Sequence, residues 1–306
     1  MMATLFKALA ACAAALFLVQ PVAAQDDAAI NSDRLTGTLQ KIKVSGVVRI
    51  GHRLSSPPFS YLDARGQPVG YSLDLCQALV EDIADELGLT ELRVEFRPVT
   101  PENRFAKVIS GEIDIECGST TDNLERRRQV AFSPPIFIAG TKLLVRKDGP
   151  VRSVLDLKGR PVAVTQGTTN ADAMKRLSER RGLAFTLLAG ADHQDSFALF
   201  AAGKADAFAN DDVLLFALLA ESRTDALYRV VGDFLSYEPY GLMFRAGDPA
   251  FASTVERGFR RLAASREIVW IYEKWFLKRL PSGLRLGLPM SPQLEELFRI
   301  QGLPAQ

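Results

Sequence analysis

Two ten-residue segments of this chain match each other 92 positions apart, and this internal repeat constrains the fold more than any other feature. Residues 105–114 read FAKVISGEID and residues 197–206 read FALFAAGKAD, so Phe, Ala, Gly and Asp recur at four equal offsets. Each segment is typical of a short helix that a glycine ends, followed by a buried strand. The repeat predicts two similar α/β lobes, although four identities in ten can also arise by chance. Two lobes form a cleft, and clefts between domains are preferred sites for small ligands.

Strand and helix patterns alternate along the rest of the chain. The hydrophobic spacing predicts strands over residues 47–51, 92–96, 113–115, 143–146, 161–165 and 185–188. It predicts helices over residues 75–87, 104–110, 214–220 and 249–279. This alternation indicates an α/β protein whose sheets are covered on both faces. We expect lobe 1 to comprise residues 37–140 and 241–306, and lobe 2 to comprise residues 141–240.

The N-terminus has the pattern of an export signal. Lys7 precedes an apolar run over residues 8–19, and Val22-Ala23-Ala24 offers small residues before a cut at about Gln25. Residues 1–24 are therefore predicted to be a signal peptide, with an uncleaved anchor as the alternative. The polar residues 25–36 are predicted to be disordered. No later stretch reaches the eighteen apolar residues of a transmembrane helix.

Composition excludes several classes of function. With 37 basic and 36 acidic residues the net charge is +1, which gives no support for a nucleic-acid or membrane-surface role. The chain has two His and no Cys-x-x-Cys pair, so neither a His-rich metal site nor a metal cofactor is expected. Two cysteines follow the predicted signal peptide, Cys76 and Cys117. They can form a disulfide in an oxidising compartment or remain two separate buried thiols.

Cationic and hydroxyl side chains follow the predicted strands. Ligands of open α/β sheets bind at the carboxyl ends of strands, near helix N-termini. The candidate donors there are Arg53, Ser55 and Ser56 after the first strand, Ser119, Thr120 and Thr121 after the third, Thr168 and Thr169 in lobe 2, and Arg104 and His193 at helix starts. Arginine pairs with carboxylates through two parallel bonds, so two arginines suit a ligand with two carboxylates. Asp211 or Asp212 can bind an ammonium group.

Each of these residues also has an ordinary structural explanation. The Gly-Ser-Thr-Thr and Gly-Thr-Thr runs are common helix caps, and Arg53 can be a solvated surface residue. Arg104 is harder to explain in this way, because a cation at a helix start opposes the helix dipole. Five groups of hydrogen-bond donors lie at equivalent strand ends, and this combination favours an anion site over a separate structural explanation for each group.

Catalytic motifs are missing from the sequence. It contains no Gly-x-Ser-x-Gly, no phosphate-binding loop and no dinucleotide fingerprint. Ser119, His193 and Asp211 could form a triad, but no local motif supports one. The sequence therefore predicts a protein that is not an enzyme. The alternative is an enzyme of the dehydratase or lyase type, for which Glu116 and Glu238 are the candidate general acids.

Nine short runs match one known family in order between residues 37 and 300. They lie at residues 51–61, 70–74, 103–104, 116–121, 164–169, 192–197, 211–212, 240–241 and 274–276. The chain resembles the family 3 solute-binding proteins of bacterial ABC transporters, and within them the periplasmic glutamate/aspartate-binding proteins. Single runs have low specificity, whereas the ordered set with Glu-Cys-Gly-Ser-Thr-Thr and Asp-His-x-Asp-Ser-Phe is specific.

The resemblance implies a two-lobed periplasmic binding protein-like fold of type II. Two crossing hinge strands would join the lobes, and one amino acid would bind in the cleft between them. By this resemblance Arg104 holds the ligand's α-carboxylate, assisted by Thr121 and Thr169. Ser119 and Asp211 hold its α-ammonium group.

The resemblance also implies how acidic ligands are selected. Arg53 and His193 would hold the side-chain carboxylate, and Phe59 would form an apolar wall against the ligand's methylene groups. Phe59 can equally be an ordinary core residue. Members of the family often have a serine donor where this chain has Pro101, which puts the preference between glutamate and aspartate in doubt.

A second departure concerns the cysteines. Relatives can carry a cysteine near position 242 that pairs with the equivalent of Cys117, but this chain has Leu242 there. Cys76 is then a substitute partner, and the alternative of two free thiols stays open.

The resemblance further implies the protein's setting. We expect a periplasmic monomer that binds an acidic amino acid, delivers it to an inner-membrane ABC permease, and uses neither a cofactor nor nucleic acid. An extracytoplasmic sensor module is a further alternative to this transport role.

Overall fold

A computed structural model describes residues 35–304 of the chain. The predicted signal peptide and most of the predicted disordered segment lie outside the described residues. The helices are α1 (Gly37–Ser45), α2 (Tyr71–Leu87), α3 (Arg104–Ser110), α4 (Thr169–Arg181), α5 (His193–Ala201), α6 (Asp212–Ser222), α7 (Pro249–Ala264), α8 (Glu267–Phe276) and α9 (Pro292–Ile300). The strands are β1 (Val47–His52), β2 (Ser55–Ser56), β3 (Ser60–Leu62), β4 (Pro68–Val69), β5 (Arg93–Pro98), β6 (Ile115–Glu116), β7 (Val130–Phe132), β8 (Phe137–Ala139), β9 (Thr141–Arg146), β10 (Pro161–Thr165), β11 (Thr186–Gly190), β12 (Ala207–Asp211), β13 (Tyr228–Val231), β14 (Glu238–Tyr240) and β15 (Met243–Arg245).

Two five-stranded sheets share one topology. The first sheet has the order β5-β1-β6-β15-β7, and the second has the order β11-β10-β12-β9-β13. In the first, β1 is parallel to β5 and β6, and β15 is antiparallel to β6 and β7. In the second, β10 is parallel to β11 and β12, and β9 is antiparallel to β12 and β13. The two sheets confirm the predicted two-lobed α/β fold.

The sequence repeat has a structural meaning. Its first copy spans α3 and leads into β6, and its second copy spans α5 and leads into β12. Both strands occupy the central position of their sheets. The match between residues 105–114 and 197–206 therefore reflects equivalent units rather than chance.

The two lobes are joined by a separate antiparallel ribbon of β8 and β14, here called the hinge ribbon. β8 runs directly into β9 of the second sheet, and β14 runs into β15 of the first. The chain therefore crosses between the sheets at this ribbon in both directions. The exact lobe boundaries at residues 140 and 240 stay a prediction.

Each lobe has its own apolar core. Helices α2, α7 and α8 supply much of the first core, which includes the buried rings of Phe59, Tyr71 and Phe276. The second sheet has one apolar cluster around Val162 and Met174 and another around Phe208 and the helix residues near it. Sheets covered on both faces hold their strand ends in fixed positions.

One predicted helix is divided in the structure. The pattern over residues 249–279 predicts one helix, but the chain forms α7 and α8 with a break at Ser265 and Arg266. Arg266 has a φ of 63°, a left-handed conformation that a continuous helix does not permit. By contrast, α2 and α3 end where predicted, at Gly88 and Gly111, which both adopt the left-handed conformation. Among residues 35–304, no helix is both long enough and apolar enough to span a bilayer.

A disulfide joins Cys76 of α2 to Cys117 at the end of β6, with 6.4 Å between the Cα atoms. This pairing decides between the two alternatives that the sequence left open. It ties a core helix to the segment that leads into residues 118–121, so the bond supports the backbone on which several candidate site residues lie.

We expect the Cys76→Ala/Cys117→Ala double variant to be less stable than the wild type. A cross-link that closes a loop of 41 residues contributes about 4 kcal/mol by the loop-entropy relation. Urea unfolding, followed by circular dichroism with and without reductant, measures this difference. Reductant should lower the wild-type midpoint to that of the double variant and leave the variant unchanged. An unchanged wild-type midpoint after complete reduction would contradict the prediction.

Candidate functional site

One cavity lies where the loops after β1, β6, β10 and β12 converge. Its lining residues are Arg53, Arg104, Ser119, Thr121, Thr168, Thr169, Asn170, His193, Asp211 and Leu214. All the residues to which the resemblance gave a role in ligand binding are among them except Phe59. The further candidates from the sequence, Ser55, Ser56, Thr120 and Asp212, do not line the cavity. The convergence follows from the matching topologies, because the carboxyl ends of parallel strands meet at one edge of each sheet.

Arg53 follows β1 and is buried, with 1% of its surface exposed. Its backbone N–H donates to Ser60 Oγ at 2.9 Å, which fixes the start of the loop. Its buried Nη2 has no hydrogen-bond partner, and no carboxylate of the described chain lies within 4 Å of the guanidinium. Burial lowers the pKa of Arg53, and the charge of Glu116 partly opposes that effect. The side chain is thus a buried cation without a counter-ion in contact.

Arg104 is the first residue of α3 and is equally buried. Its Nη1 donates to Thr120 Oγ1 at 2.7 Å, and Thr120 Oγ1 donates to Glu116 Oε2 at 2.7 Å. Its Nε has no partner. Burial holds the pKa of Arg104 well below its ordinary value, and the nearby positive charge of Arg126 lowers it further. Arg104 is therefore oriented through a hydroxyl but not neutralised in direct contact.

Gly118 leaves room for the side chains of Arg53 and Glu116 on either side of it. A Cβ at this position would lie 2.3 Å from Glu116 Oε1 and 3.0 Å from Arg53 Cγ. No other residue fits without displacing one of these buried groups, which accounts for glycine in the Gly-Ser-Thr-Thr run. Ser119 follows, and its buried hydroxyl also has no partner.

Asp211 ends β12 on the opposite side of the cavity. Its Oδ1 accepts from Asn170 Nδ2 at 2.7 Å, and its Oδ2 accepts from the hydroxyl of Tyr240. Burial raises the pKa of Asp211 to about 7, with a further upward contribution from the charge of Glu238. The carboxylate keeps free lone pairs that suit an ammonium group.

His193 begins α5 and is buried beside the cavity. Its Nδ1 lies 3.0 Å from Thr165 Oγ1 and 3.3 Å from Asn210 Nδ2. Burial, with smaller contributions from the charges of Arg53 and Arg104, holds the pKa of His193 well below its ordinary value. With the Asn210 amide donating to Nδ1, the neutral ring carries its proton on Nε2 and can donate to a carboxylate.

Direct contacts join the two lobes around the cavity. Thr121 Oγ1 of the first lobe lies 3.2 Å from Thr169 Oγ1 of the second. At the rim, Gln166 Nε2 donates to Glu102 Oε1 at 2.7 Å. A Cβ on Gly167 would lie 3.0 Å from the backbone of residues 101–102. The structure is therefore closed, and its cavity is formed by both lobes together.

Phe59 lies elsewhere, in the aromatic core. Its ring packs edge-on against Tyr71, Phe137, Tyr240 and Phe276, with centroid distances of 5.0 to 6.0 Å. It is not among the residues that line the cavity, where Leu214 supplies the apolar surface instead. This packing matches the ordinary core position that the sequence left open for Phe59, and its role as a ligand wall stays a prediction.

Sequence reasoning named some neighbouring residues without assigning them roles and missed others. Thr168 caps α4 by accepting from the N–H of Ala171, and Asn170 holds both Asp211 and Thr141 through its amide. Arg126 is half-buried and donates to the carbonyl oxygen of Thr121 at 2.9 Å. The three consecutive arginines at residues 126–128 were the available signal for Arg126, but such a run usually marks a solvated surface.

Residues 48–278 match the family model of the bacterial extracellular solute-binding proteins, family 3. The chain belongs to this family. The solute-binding protein is 42% identical over 279 residues to the L-glutamate/L-aspartate-binding protein of Pseudomonas aeruginosa, with 90% of this chain and 92% of the relative covered. It is 37% identical to the glutamate/aspartate import solute-binding protein of Escherichia coli, with 93% and 94% covered.

Solved structures show the same architecture. The crystal structure of a P235GK mutant of ArgBP from T. maritima superimposes with a TM-score of 0.71 at 25% identity, covering 79% of this chain and all of the other. Within residues 35–304 the solute-binding protein has no group of three or more His, Cys, Asp or Glu side chains placed to hold a metal ion.

We expect His193 to remain neutral throughout the range from pH 6 to pH 8. Protonation would place a third cation beside two buried guanidinium groups, so its pKa should lie well below the ordinary value of about 6.5. Long-range ¹H–¹⁵N NMR of the imidazole ring measures this pKa. The His52→Gln variant assigns the signals, because the chain has only two histidines. A His193 titration centred near pH 6.5 would disprove the prediction.

Proposed function

We propose that this protein is the substrate-binding component of an ABC amino-acid importer and binds glutamate or aspartate between its two lobes. The observation that supports this most directly is the pair of buried guanidinium groups of Arg53 and Arg104, which line one cavity without a carboxylate in contact. A buried charge without a partner costs several kcal/mol, roughly, so a site of this kind favours a ligand with two carboxylates. The named relatives from P. aeruginosa and E. coli are glutamate/aspartate-binding proteins.

The geometry suggests a role for each end of the ligand. Arg104 receives the α-carboxylate, near the first-turn N–H groups of α4, which have no acceptor within the helix. Asp211 and Ser119 receive the α-ammonium group. Arg53 and His193 receive the side-chain carboxylate. In this assignment the carboxylates of the ligand contact hydrogen-bond donors of the site, and its ammonium group contacts acceptors.

Ligand binding and closure are coupled in this proposal. Arg53 and Arg104 belong to the first lobe, and Thr169, His193 and Asp211 belong to the second. A ligand that contacts both sets binds the closed conformation more tightly than the open one and so shifts the population toward it. The amino acid thereby supplies the free energy of closure.

The cellular setting is part of the proposal. Residues 1–24 act as a signal peptide, and the mature protein works in the periplasm as a monomer. Its partner is an inner-membrane ABC permease, which receives the amino acid from the closed protein.

The enzyme alternative is not favoured. A dehydratase or lyase needs a carboxylic acid directed into the cleft as a general acid. Glu116 is bonded to Thr120 and Glu238 to Thr169, and neither carboxylate is among the groups that line the cavity. Both relatives named above are named as binding proteins, and the one from E. coli is named as an import protein.

A thermal-shift screen of the twenty amino acids tests the proposed ligand. Glutamate and aspartate at one hundred times their dissociation constants should stabilise the mature protein by about 2.7 kcal/mol and raise its melting temperature by roughly 5–10 °C. Glutamine and asparagine should have little effect at the same concentrations, because they leave Arg53 without a counter-ion. A screen in which a cationic or apolar amino acid gives the largest shift would refute the proposal.

Two arginine substitutions separate the two ends of the ligand. Arg104→Met should weaken binding of every amino acid by about 100-fold or more, because the α-carboxylate is common to all of them. Arg53→Met should weaken glutamate binding by a similar factor and reduce the preference for glutamate over glutamine to within about tenfold. Isothermal titration calorimetry measures both.

Arg65→Met is the matched control, since Arg65 lies exposed on a turn away from the cavity. It should bind glutamate like the wild type. The assignment of Arg53 is wrong if Arg53→Met retains wild-type affinity for glutamate.

A further inference from the structure

Strand β14 of the hinge ribbon directs two side chains at residues of the binding site. Side chains two apart on a strand share one face, so Glu238 and Tyr240 project the same way. The Tyr240 hydroxyl donates to Asp211 Oδ2, and Glu238 Oε2 accepts from Thr169 Oγ1 at 2.6 Å. Both side chains are buried, and neither lines the cavity.

Strand β14 and the residue after it also form hydrogen bonds with residues 120–122 of the first lobe. Gly241 N donates to Thr120 O at 3.0 Å, and Asp122 N donates to Pro239 O at 2.7 Å. Thr121 is thereby held in an isolated antiparallel bridge with Tyr240. Glu238 itself pairs with Ala139 of β8. Strand β14 therefore contacts β8 of the hinge ribbon, the loop after β6, and two cavity residues of the second lobe, Asp211 and Thr169.

We propose that Tyr240 and Glu238 are positioning residues of the binding site, through which the hinge strand sets the orientation and charge of Asp211 and the orientation of the Thr169 hydroxyl. This inference rests on the proposed function, because it concerns how the same site binds the ammonium end of an amino acid. Neither residue contacts the ligand in this proposal.

The hydroxyl protons support the role of Glu238. A threonine hydroxyl has one proton, and an ionised carboxylate only accepts. Thr169 therefore donates its proton to Glu238, and in the 3.2 Å contact across the lobes Thr121 must donate to Thr169. One carboxylate on the hinge thus orients two hydroxyls of the cavity. In this proposal Arg104 and backbone N–H groups are the donors to the ligand's α-carboxylate, whereas the resemblance implied help from Thr121 and Thr169 as well.

The groups around Asp211 explain why the two β14 side chains act in opposite directions. The Tyr240 hydroxyl stabilises the ionised form of Asp211, as does the amide of Asn170. The negative charges of Glu238 and Asp212 disfavour that form. From the first lobe, Arg126 interacts with Asp211, and Arg53 and Arg104 line the same cavity. Only an ionised Asp211 attracts an ammonium group, so the affinity depends on the balance among these neighbours.

These contacts predict the direction in which each substitution shifts the pKa of Asp211 and the pH dependence of binding. Tyr240→Phe removes the donor and raises the pKa of Asp211, so affinity falls most at pH values below that pKa and recovers above it. Glu238→Gln removes a like charge and lowers the pKa of Asp211, so binding persists to lower pH. Two substitutions on one strand should therefore shift the same pH profile in opposite directions.

The test is the dissociation constant for glutamate between pH 5.5 and pH 8.5, measured by calorimetry on the mature wild type and on each variant. Tyr240→Phe should bind about tenfold more weakly at pH 6, with its midpoint about one pH unit above that of the wild type, and should approach wild-type affinity at pH 8.5. Glu238→Gln should move the midpoint below that of the wild type.

Tyr71→Phe is the matched control. Tyr71 is as deeply buried as Tyr240, lies in the same aromatic core, and donates its hydroxyl to the carbonyl oxygen of Ile136 at 2.9 Å, away from the cavity. It should lower the melting temperature and leave the pH profile of binding unchanged. A structural role for Tyr240 would give the same result as this control.

The possible outcomes are distinct. If the wild type binds neither glutamate nor aspartate, the proposed function fails. If the wild type binds glutamate but Tyr240→Phe follows the Tyr71→Phe profile, or loses the same factor at every pH, the positioning role of Tyr240 is overturned. If Glu238→Gln leaves the midpoint in place or raises it, the role of Glu238 is overturned.

Discussion

Two guanidinium groups are buried at one cavity without a carboxylate in contact, and the surrounding structure is arranged to hold them there. Burial disfavours both charges, as the lowered pKa values of Arg53 and Arg104 indicate. The charge of Glu116 partly compensates both, and it reaches Arg104 through the hydroxyl of Thr120. The compensation is partial, because buried nitrogen atoms of both arginines still have no partner. An anion with two carboxylates would complete the arrangement.

The matching topology of the two sheets is what brings the complementary groups together. Each lobe presents the ends of two parallel strands to the same cavity, and the hinge ribbon joins the lobes at β8 and β14. Cations come from the first lobe, whereas Asp211 and the neutral His193 come from the second. Because the two sets lie together only when the lobes are closed, a ligand with both charges contacts all of its partners only in the closed conformation.

Burial favours the neutral form of every titratable group in the site, which suits the proposed role of His193 and opposes the charges that Arg53, Arg104 and Asp211 need. It keeps His193 neutral, so the ring can donate a single proton to a carboxylate without adding a third cation. It brings the pKa of Asp211 to about 7, where small changes in neighbouring hydrogen bonds alter its charge. The hinge strand supplies two of those neighbours, which links the conformation of the ribbon to the electrostatics of the cavity.

Local chemistry in the sequence determined much of this protein. The repeat, the alternating periodicities and the glycines that end α2 and α3 are short-range signals, and they predicted two α/β lobes and the strand ends that carry Arg53, Ser119, Thr169 and Asp211. Long-range packing decided the rest. The ring of Phe59 packs in the aromatic core and does not line the cavity. Cys76 forms a disulfide with Cys117, 41 residues later, and the Tyr240 hydroxyl of the hinge ribbon donates to Asp211. These contacts join residues distant in sequence, whose spacing carries no period, so only the folded chain could reveal them.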